Sequence, residues 1–227
     1  MARPLRLSEA DHAKVGEAVS DAESQTAGEI VTILADSSDG YEDVRLAWAA
    51  LAAFLELTAF ALMPDLHLDS YAPLRGDWVG EWTAGAMFTL SATMAAVVFV
   101  IVFAAQQWQA LRFLLVPSPI KTNRVHEAAV WAFRIGAERR TRGRTGILIY
   151  LSMREHRAEI VADEAIATKV DAAVWGDAMD AMLAELKAGR VADGMVAAIE
   201  RVGAVLAEHV PIGDGDRNEL PDRLIEV

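Results

Sequence analysis

Two apolar segments in the middle of this chain constrain its fold more than any other feature. Residues 46–63 hold one charged residue, Glu56, and residues 84–105 hold none. Helices over these segments would be about 27 and 33 Å long, roughly the thickness of the hydrocarbon core of a bilayer. The polar segments on both sides have the composition of a soluble domain. The sequence therefore predicts a two-helix transmembrane hairpin inserted into a globular domain, rather than a buried helix pair of a soluble protein.

Glu56 makes the first segment the weaker of the two spans. A charged side chain near the middle of a membrane helix costs about 3 kcal/mol, which offsets what the Leu and Phe residues of that segment contribute. The first helix therefore needs the second as a partner. We expect Glu56 to face either a partner helix or, as a protonated acid, Ser91 or Thr93 of the second span.

Aromatic residues mark the ends of both predicted spans. Trp48 lies at the start of the first, Trp82 before the second and Trp108 after it. Tryptophan favours the boundary between lipid and water, so these side chains are predicted membrane contacts.

The charges flanking the spans predict their orientation. The loop at residues 64–83 has four acidic residues and one arginine, whereas residues 112–144 have eight lysines and arginines. Positive residues are retained in the cytoplasm. We therefore expect a multi-pass protein of the inner (cytoplasmic) membrane, with an acidic external loop and with the soluble domain and both termini in the cytoplasm.

Composition excludes several classes of function. The formal net charge of −12 argues against nucleic acid as a partner, because phosphate binding requires a basic face. The chain has no cysteine, so disulfides, thiol catalysis and zinc–thiolate sites are excluded.

The polar segments show the alternating pattern of an α/β domain. Capping by Ser8 and Asp11 predicts a helix to residue 24, and β-branched residues predict a strand over residues 28–35. Pro117 and Pro119 are expected to prevent a helix around them. Later elements are predicted as a helix over 121–140, strands over 145–152 and 157–162, and helices over 171–188 and 191–209. We thus expect one discontinuous domain of residues 1–45 and 112–227, with 211–227 as a flexible acidic tail.

Four stretches, taken in order, resemble the TPM domain family, which includes the thylakoid-lumen repair phosphatase of photosystem II and related bacterial membrane proteins. They are Leu7–Ser8, the Thr26–Val31 strand, the hairpin RTGILIYLS…RAEIVAD at residues 144–163, and Trp175 with Leu186, Gly189, Gly194 and Ile199. The resemblance implies a three-layer α/β/α domain. In this chain the predicted transmembrane hairpin is inserted after the first strand of that domain. The sequence departs from the family in its internal anchor and in Ala162–Ala165, where members often have glycines.

Acidic residues near strand and helix ends are the candidates for chemistry. Asp36 follows the first strand, Asp163 and Glu164 follow the third, and Asp171 begins a helix. Clustered carboxylates at the end of a sheet are suited to a hard cation, Ca²⁺ or Mg²⁺. The alternative is structural, with Asp171 as a helix cap and Glu164 at a helix N-terminus. Glu29, inside a strand, is expected to face solvent.

Two functions remain open from the sequence. The first is a non-catalytic accessory or assembly protein that contacts the lipid bilayer and docks to a membrane protein complex or to copies of itself. The second is a metal-dependent phosphatase that uses Asp163, Glu164 and Asp171. The lack of an evident nucleophile favours the first.

Overall fold

The computed structural model describes residues 6–75, 82–136, 145–212 and 220–227, which fall into two units. Residues up to 39 and from 118 onward form one, here the sheet unit, and residues 40–117 form the other, here the helical unit. The predicted boundaries at 45 and 112 therefore lie inside the helical unit. The first helix of the helical unit begins earlier than expected. A short helix that was not predicted from the sequence lies just before the last residues of this unit.

The described elements are, in chain order, α1 (Glu9–Glu23), β1 (Glu29–Ala35), α2 (Glu42–Leu62), α3 (Pro64–Arg75), α4 (Ala84–Ala105), α5 (Gln109–Leu115), α6 (Ser118–Gly136), β2 (Gly146–Ser152), β3 (Arg157–Ala162), α7 (Glu164–Ala167), α8 (Ala172–Lys187), α9 (Val191–His209) and β4 (Leu224–Glu226). The strands β1, β2 and β3 and the helices α1, α8 and α9 agree with the predicted elements to within two residues.

The sheet has the strand order β3-β2-β1-β4. β1 is parallel to β2, with Glu29 opposite Gly146 and Ala35 opposite Ser152. β3 runs antiparallel to β2, and β4 runs parallel to β1. The two central strands are buried almost throughout, which explains why both appear in the sequence as continuous apolar runs.

Helices cover both faces of this sheet. On one face, Ile30 and Ile149 lie in a core completed by residues of α1, α8 and α9, such as Val15, Met182 and Ile199. On the other, Ile33, Leu148 and Tyr150 pack with residues of α6, which are Val125, Ala129 and Phe133. The predicted three-layer α/β/α architecture is therefore confirmed.

Polar side chains fix the ends of two helices as the sequence indicates. The Ser8 hydroxyl accepts from the backbone N–H of Asp11, and the Asp11 carboxylate accepts from that of Ser8, which forms the predicted capping box. Asp171 caps α8 by accepting from Ala173 N at 2.8 Å. α6 begins at Ser118, so Pro119 lies in a first helical turn, where its missing N–H costs nothing. The predicted break is present at Pro117, between α5 and α6, but the expectation that Pro119 also lies outside a helix was wrong.

The C-terminal segment is not a free tail where it is described. Residues 224–226 form the edge strand β4, and the backbone N–H of Leu220 donates to Glu29 Oε2 at 3.1 Å. The prediction of a flexible tail was wrong for residues 220–227, because three residues are too few to show a strand period; residues 213–219 lie outside the described part. Glu29 is 7% exposed, so the expectation that it faces solvent was also wrong.

In the helical unit, α2 and α4 pack against each other. α4 has the bounds predicted for the second span, and α2 extends the first by four residues towards the N-terminus. Both are long and apolar enough to cross a membrane. Large apolar side chains such as Phe54, Phe88 and Ile101 are 60–77% exposed along them. The predicted loop at 64–83 is helical over Pro64–Arg75.

Candidate functional site at the carboxyl end of the sheet

The parallel strands β1 and β2 end side by side, and the turns that follow them are bonded to each other. The backbone N–H of Met153 donates to Ala35 O at 3.0 Å, and that of Arg154 donates to Asp36 O at 3.1 Å. In α/β proteins this end of a parallel sheet is where ligands commonly bind. The side chains of the two turns are therefore the first candidates for a site.

A directed chain of hydrogen bonds connects these side chains. The Ser152 hydroxyl donates to Glu155 Oε2 at 2.6 Å, and the Ser38 hydroxyl donates to Ser152 Oγ at 2.9 Å. Because Ser38 uses its only hydrogen on Ser152, the Tyr150 hydroxyl, 3.1 Å away, donates to Ser38. All three hydroxyls thus point towards one carboxylate.

Glu155, the final acceptor of this series of hydrogen bonds, is 2% exposed. Its Oε1 accepts from the backbone N–H of Ser38 at 2.9 Å, so both oxygens have donors. Burial, followed by the nearby charge of Glu155, raises the pKa of Tyr150, while its bond to Ser38 opposes the shift. The network joins the turn after β1 to the β2–β3 turn. No pattern in the sequence predicts this network, because Ser38 lies more than a hundred residues from the other three members and the four match no motif.

The four predicted metal ligands lie at different places. Asp36 is at the carboxyl end of the parallel strands, where its Oδ2 accepts from Arg154 Nε at 2.7 Å. Asp163, 5% exposed, lies at the opposite end, beside the start of β2, where it accepts from Gly146 N at 3.1 Å. Glu164 is exposed in the first turn of α7, and Asp171 caps α8.

The structure does not bring these four carboxylates together. Among residues 6–75, 82–136, 145–212 and 220–227, no three His, Asp or Glu side chains are placed to hold a metal ion. Asp163 instead forms a hydrogen bond with Gly146 at the beginning of the β2–β3 ladder. The structural alternative for Asp171, a helix cap, is confirmed by its capping bond. The Ca²⁺ or Mg²⁺ site remains a prediction without a converging ligand set in the described part of the chain.

The predicted contacts of Glu56 differ from those in the helical unit. The Ser91 hydroxyl donates to Phe88 O and that of Thr93 to Thr89 O, both in their own helix. Glu56 Oε1 instead lies 3.5 Å from His67 Nε2, an ion-pair distance longer than an ordinary hydrogen bond. The expected bond to Ser91 or Thr93 was wrong, because short hydroxyl side chains on a helix readily bond the preceding turn.

The tautomer of His67 follows from its second contact. Its Nδ1 lies 2.9 Å from the carbonyl oxygen of Met63, and a carbonyl can only accept. Nδ1 therefore carries a hydrogen, and Nε2 faces Glu56. The imidazole thus places a polar atom 3.5 Å from the acid within the helical unit.

The other predicted membrane contacts lie near helix ends. Trp48 Nε1 donates to Leu115 O at 3.1 Å, Trp108 is 76% exposed before α5, and Trp82 is half-buried before α4. Near Trp48, the buried guanidinium of Arg45 stacks over Phe103 and donates to Glu42. Its Nε and Nη2 make no hydrogen bond to another described residue.

Comparison with known proteins identifies a domain in the second half of the chain. The family model described as the TPM domain matches residues 103–205. The chain carries a TPM domain. Its fold is similar to the NMR structure of the BA42 protein from the psychrophilic bacterium Bizionia argentinensis, over 100% of both chains, with a TM-score of 0.57 and 18% identity. At this identity the likeness concerns the fold alone. None of the curated proteins compared with the chain matches it.

The matched residues form only part of the TPM sheet. The match includes α5, α6, β2, β3, α7, α8 and most of α9. It does not include Leu7–Ser8 or the Thr26–Val31 strand, from which the resemblance was also drawn. The structure nevertheless places β1 between β2 and β4. In this chain the sheet of the TPM domain is therefore completed by residues that precede the inserted helices.

The TPM domain also has a groove of about 400 Å³ between α8 and the β2–β3 turn. Its lining is mostly apolar and includes Leu151, Met153, Leu183 and Leu186, with Lys187 beside them. Grooves of this volume are large enough for small ligands or for one or two side chains of a partner. No pattern in the sequence indicates this groove, because its walls come from a turn and a helix about thirty residues apart.

Proposed function

We propose that this protein is a membrane-anchored TPM protein that docks to a membrane protein complex as an accessory or assembly factor. The observation that carries the proposal is the position of α2 and α4, two apolar helices with exposed faces inserted between the central strands β1 and β2. An insertion at this place ties the TPM domain to a bilayer at its core rather than by a terminal tether. Such a domain is suited to working at a membrane surface.

The arrangement of the acidic residues supports docking over catalysis. The phosphatase alternative needs Asp163, Glu164 and Asp171 to hold a cation. Asp171 is engaged as a helix cap and Asp163 accepts a backbone hydrogen bond. No specific contact in the described residues favours phosphoryl transfer.

We further propose the inner membrane as the location, with the TPM domain and both termini in the cytoplasm. The acidic segment after α2 and the basic residues after α4 support this orientation. The partner is then a membrane protein complex or a second copy of this chain, in contact with the same bilayer.

Co-purification of the tagged full chain tests the docking function. Membranes would be solubilised in mild detergent, and recovered proteins quantified by mass spectrometry for wild type, Ile147→Asp and Ile135→Asp. Ile147 is fully buried in β2, whereas Ile135 is 56% exposed on α6. We expect a membrane protein in constant ratio with wild type and Ile135→Asp, and its loss with Ile147→Asp. Recovery of the chain alone as a monomer would refute docking, and metal-dependent hydrolysis of p-nitrophenyl phosphate that Asp163→Asn abolishes would favour the phosphatase.

A further inference from the structure

The outer edge of β3 is open to another strand within the described part of the chain. β3 is the last strand of the sheet, and its pairing with β2 leaves its other side without a described neighbour. The backbone N–H of Asp163 donates to Gly146 O, and hydrogen-bonded pairs alternate along an antiparallel ladder. Arg157, Glu159 and Val161 therefore bond β2, while the N–H and C=O groups of Ala158, Ile160 and Ala162 point outward.

This edge has only part of the usual protection against strand pairing, because its charged residues Arg157 and Glu159 occupy the positions that bond β2. Natural edge strands are commonly blocked by proline, by a bulge or by charged residues on the open positions. The outward positions Ala158, Ile160 and Ala162 are small or apolar, and the register with β2 runs without a bulge from Ile147 to Ser152. The opposite edge strand, β4, has three residues and offers much less backbone.

The apolar groove adjoins this open edge on the same face of the sheet. Ala158, Ile160 and Ala162 contact the core beneath α8 and α9, to which the groove residue Leu151 also belongs. Leu151 is paired with Ala158. In an added strand, every second side chain would point to this face, where Leu183 and Leu186 line the groove.

The charges at the groove are positive on an acidic protein. Lys187, exposed at the end of α8, forms no ion pair with a described carboxylate. Arg157 also lines the groove, but its guanidinium bonds the hydroxyls of Ser118 and Thr122 of α6, on the opposite face of the sheet, so the positive charge beside the groove is mainly that of Lys187. With a net charge of −12 for the whole chain, this corner is complementary to an acidic partner.

We propose that the β3 edge and the groove bind an extended acidic segment of a partner protein by strand addition. Its backbone pairs with Ala158 and Ile160, an apolar side chain enters the groove, and a carboxylate meets Lys187. This inference rests on the docking function proposed above and names its surface. An added strand would fill the groove and also form hydrogen bonds with the outward N–H and C=O groups of β3. A lipid acyl chain could fill the groove but could not form these hydrogen bonds.

Selection from a displayed library of random ten-residue peptides tests this surface. The bait is the full chain in detergent micelles. We expect enriched peptides to combine Asp or Glu with Leu, Ile or Val at alternate positions. Their affinity for Ala158→Pro should fall at least tenfold, because proline removes an outward donor without breaking the β2 ladder. Lys187→Glu should reduce it similarly, whereas Lys169→Glu, an equal charge change at another exposed lysine, should not.

Three other results would contradict the proposed binding surface. No enrichment, or enriched peptides that bind Ala158→Pro and Lys187→Glu as tightly as wild type, would overturn the proposal. Phosphatidylglycerol retained by wild type and lost by Lys187→Glu in native mass spectrometry, without peptide enrichment, would assign the groove to a lipid instead. If a partner co-purifies equally with wild type and both variants, this surface is wrong but the docking function stands. Unchanged hydrogen exchange in β2 and β3 confirms that the variants are folded.

Discussion

Glu155 and Ser38, 117 residues apart in the chain, are joined by a 2.9 Å hydrogen bond from the Ser38 backbone N–H to the buried Glu155 carboxylate. The contact links the turn from which the chain leaves the sheet unit to the turn between β2 and β3. The hydroxyls of Ser152, Ser38 and Tyr150 complete the link. A single carboxylate thereby organises the carboxyl end of the sheet.

Removal of this carboxylate should destabilise the TPM domain. Glu155→Ala leaves the Ser38 N–H and the Ser152 hydroxyl without their acceptor, and buried unsatisfied donors cost about 1 to 3 kcal/mol each. We expect a loss of about 2 to 4 kcal/mol in the free energy of unfolding, measured by denaturant titration in detergent. Glu164→Ala, at an exposed glutamate, should change it by less than about 0.5 kcal/mol. Equal effects of the two substitutions would contradict the importance of the network.

The domain should lose stability as the pH rises through neutrality, because of Glu23. Burial, and then the charges of Glu29 and Asp222, raise the pKa of Glu23 from 4.5 to about 8, against the bond it accepts from Ile30 N. A raised pKa in the folded state means stability that is present at acid pH and lost between about pH 4.5 and 8. Glu23→Gln should flatten this dependence and stabilise the domain by about 1 to 2 kcal/mol at pH 8, less than the full shift because the carboxyl is partly exposed.

Thermal unfolding of the full chain between pH 5 and 9 measures the effect of Glu23. Glu17→Gln, at an exposed glutamate of the same helix, is the matched control and should retain the wild-type pH profile. A Glu23→Gln profile that parallels the wild type would refute the assignment.

Glu56 and His67 should be energetically coupled. Glu56→Leu removes a charge from the first span, so the isolated span should insert more readily by about 2 to 3 kcal/mol. In the intact helical unit the gain should be smaller, because His67 already offsets the acid. A double-mutant cycle with Glu56→Leu and His67→Leu should give a coupling of about 0.5 to 1 kcal/mol in hairpin unfolding. Additive effects would show that the pair does not interact, and lower partner recovery for Glu56→Leu alone would make this acid a docking contact.

The two parts of the sheet unit should unfold together. Ile147 is fully buried between β1 and β3, and an aspartate there would be an unpaired buried charge that costs several kcal/mol. We expect Ile147→Asp to expose residues 29–35 to limited proteolysis, although these residues are more than a hundred positions away. Ile135→Asp, the same change at an exposed residue, should leave that region protected. Protection of 29–35 in both variants would separate the two parts.

Cysteine labelling in intact cells measures the proposed orientation. The chain has no native cysteine, so single substitutions give no background. With both termini in the cytoplasm, Ser70→Cys should react with an impermeant reagent and Ser20→Cys should not. Both side chains are exposed, whereas Ser152 is buried and would not report on either side. The reverse labelling pattern would place the TPM domain outside the cytoplasm.

Local patterns predicted most of the fold, and tertiary contacts account for what they missed. The capping residues of α1 and α8 and the apolar runs of β1 and β2 each identify their element within a few neighbouring residues. β4 has no such pattern, since its placement depends on bonds to β1 and on the contact between Leu220 and Glu29. The burial of Glu29 depends on the same contact. The Ser38–Glu155 network likewise exists only because two distant turns meet, so no spacing in the sequence could predict it.

The parallel pairing of β1 with β2 restricts how many times the chain can pass through a bilayer between them. Both strands belong to one sheet, so residues 29–35 and 146–152 must end on the same side of any membrane. The intervening segment can therefore cross an even number of times or not at all; a single crossing by α2 or α4 would leave the sheet without one of its central strands. During synthesis β1 appears first and must wait for β2 until both helices have been made. Completion of the sheet is thus incompatible with the insertion of only one of the two helices.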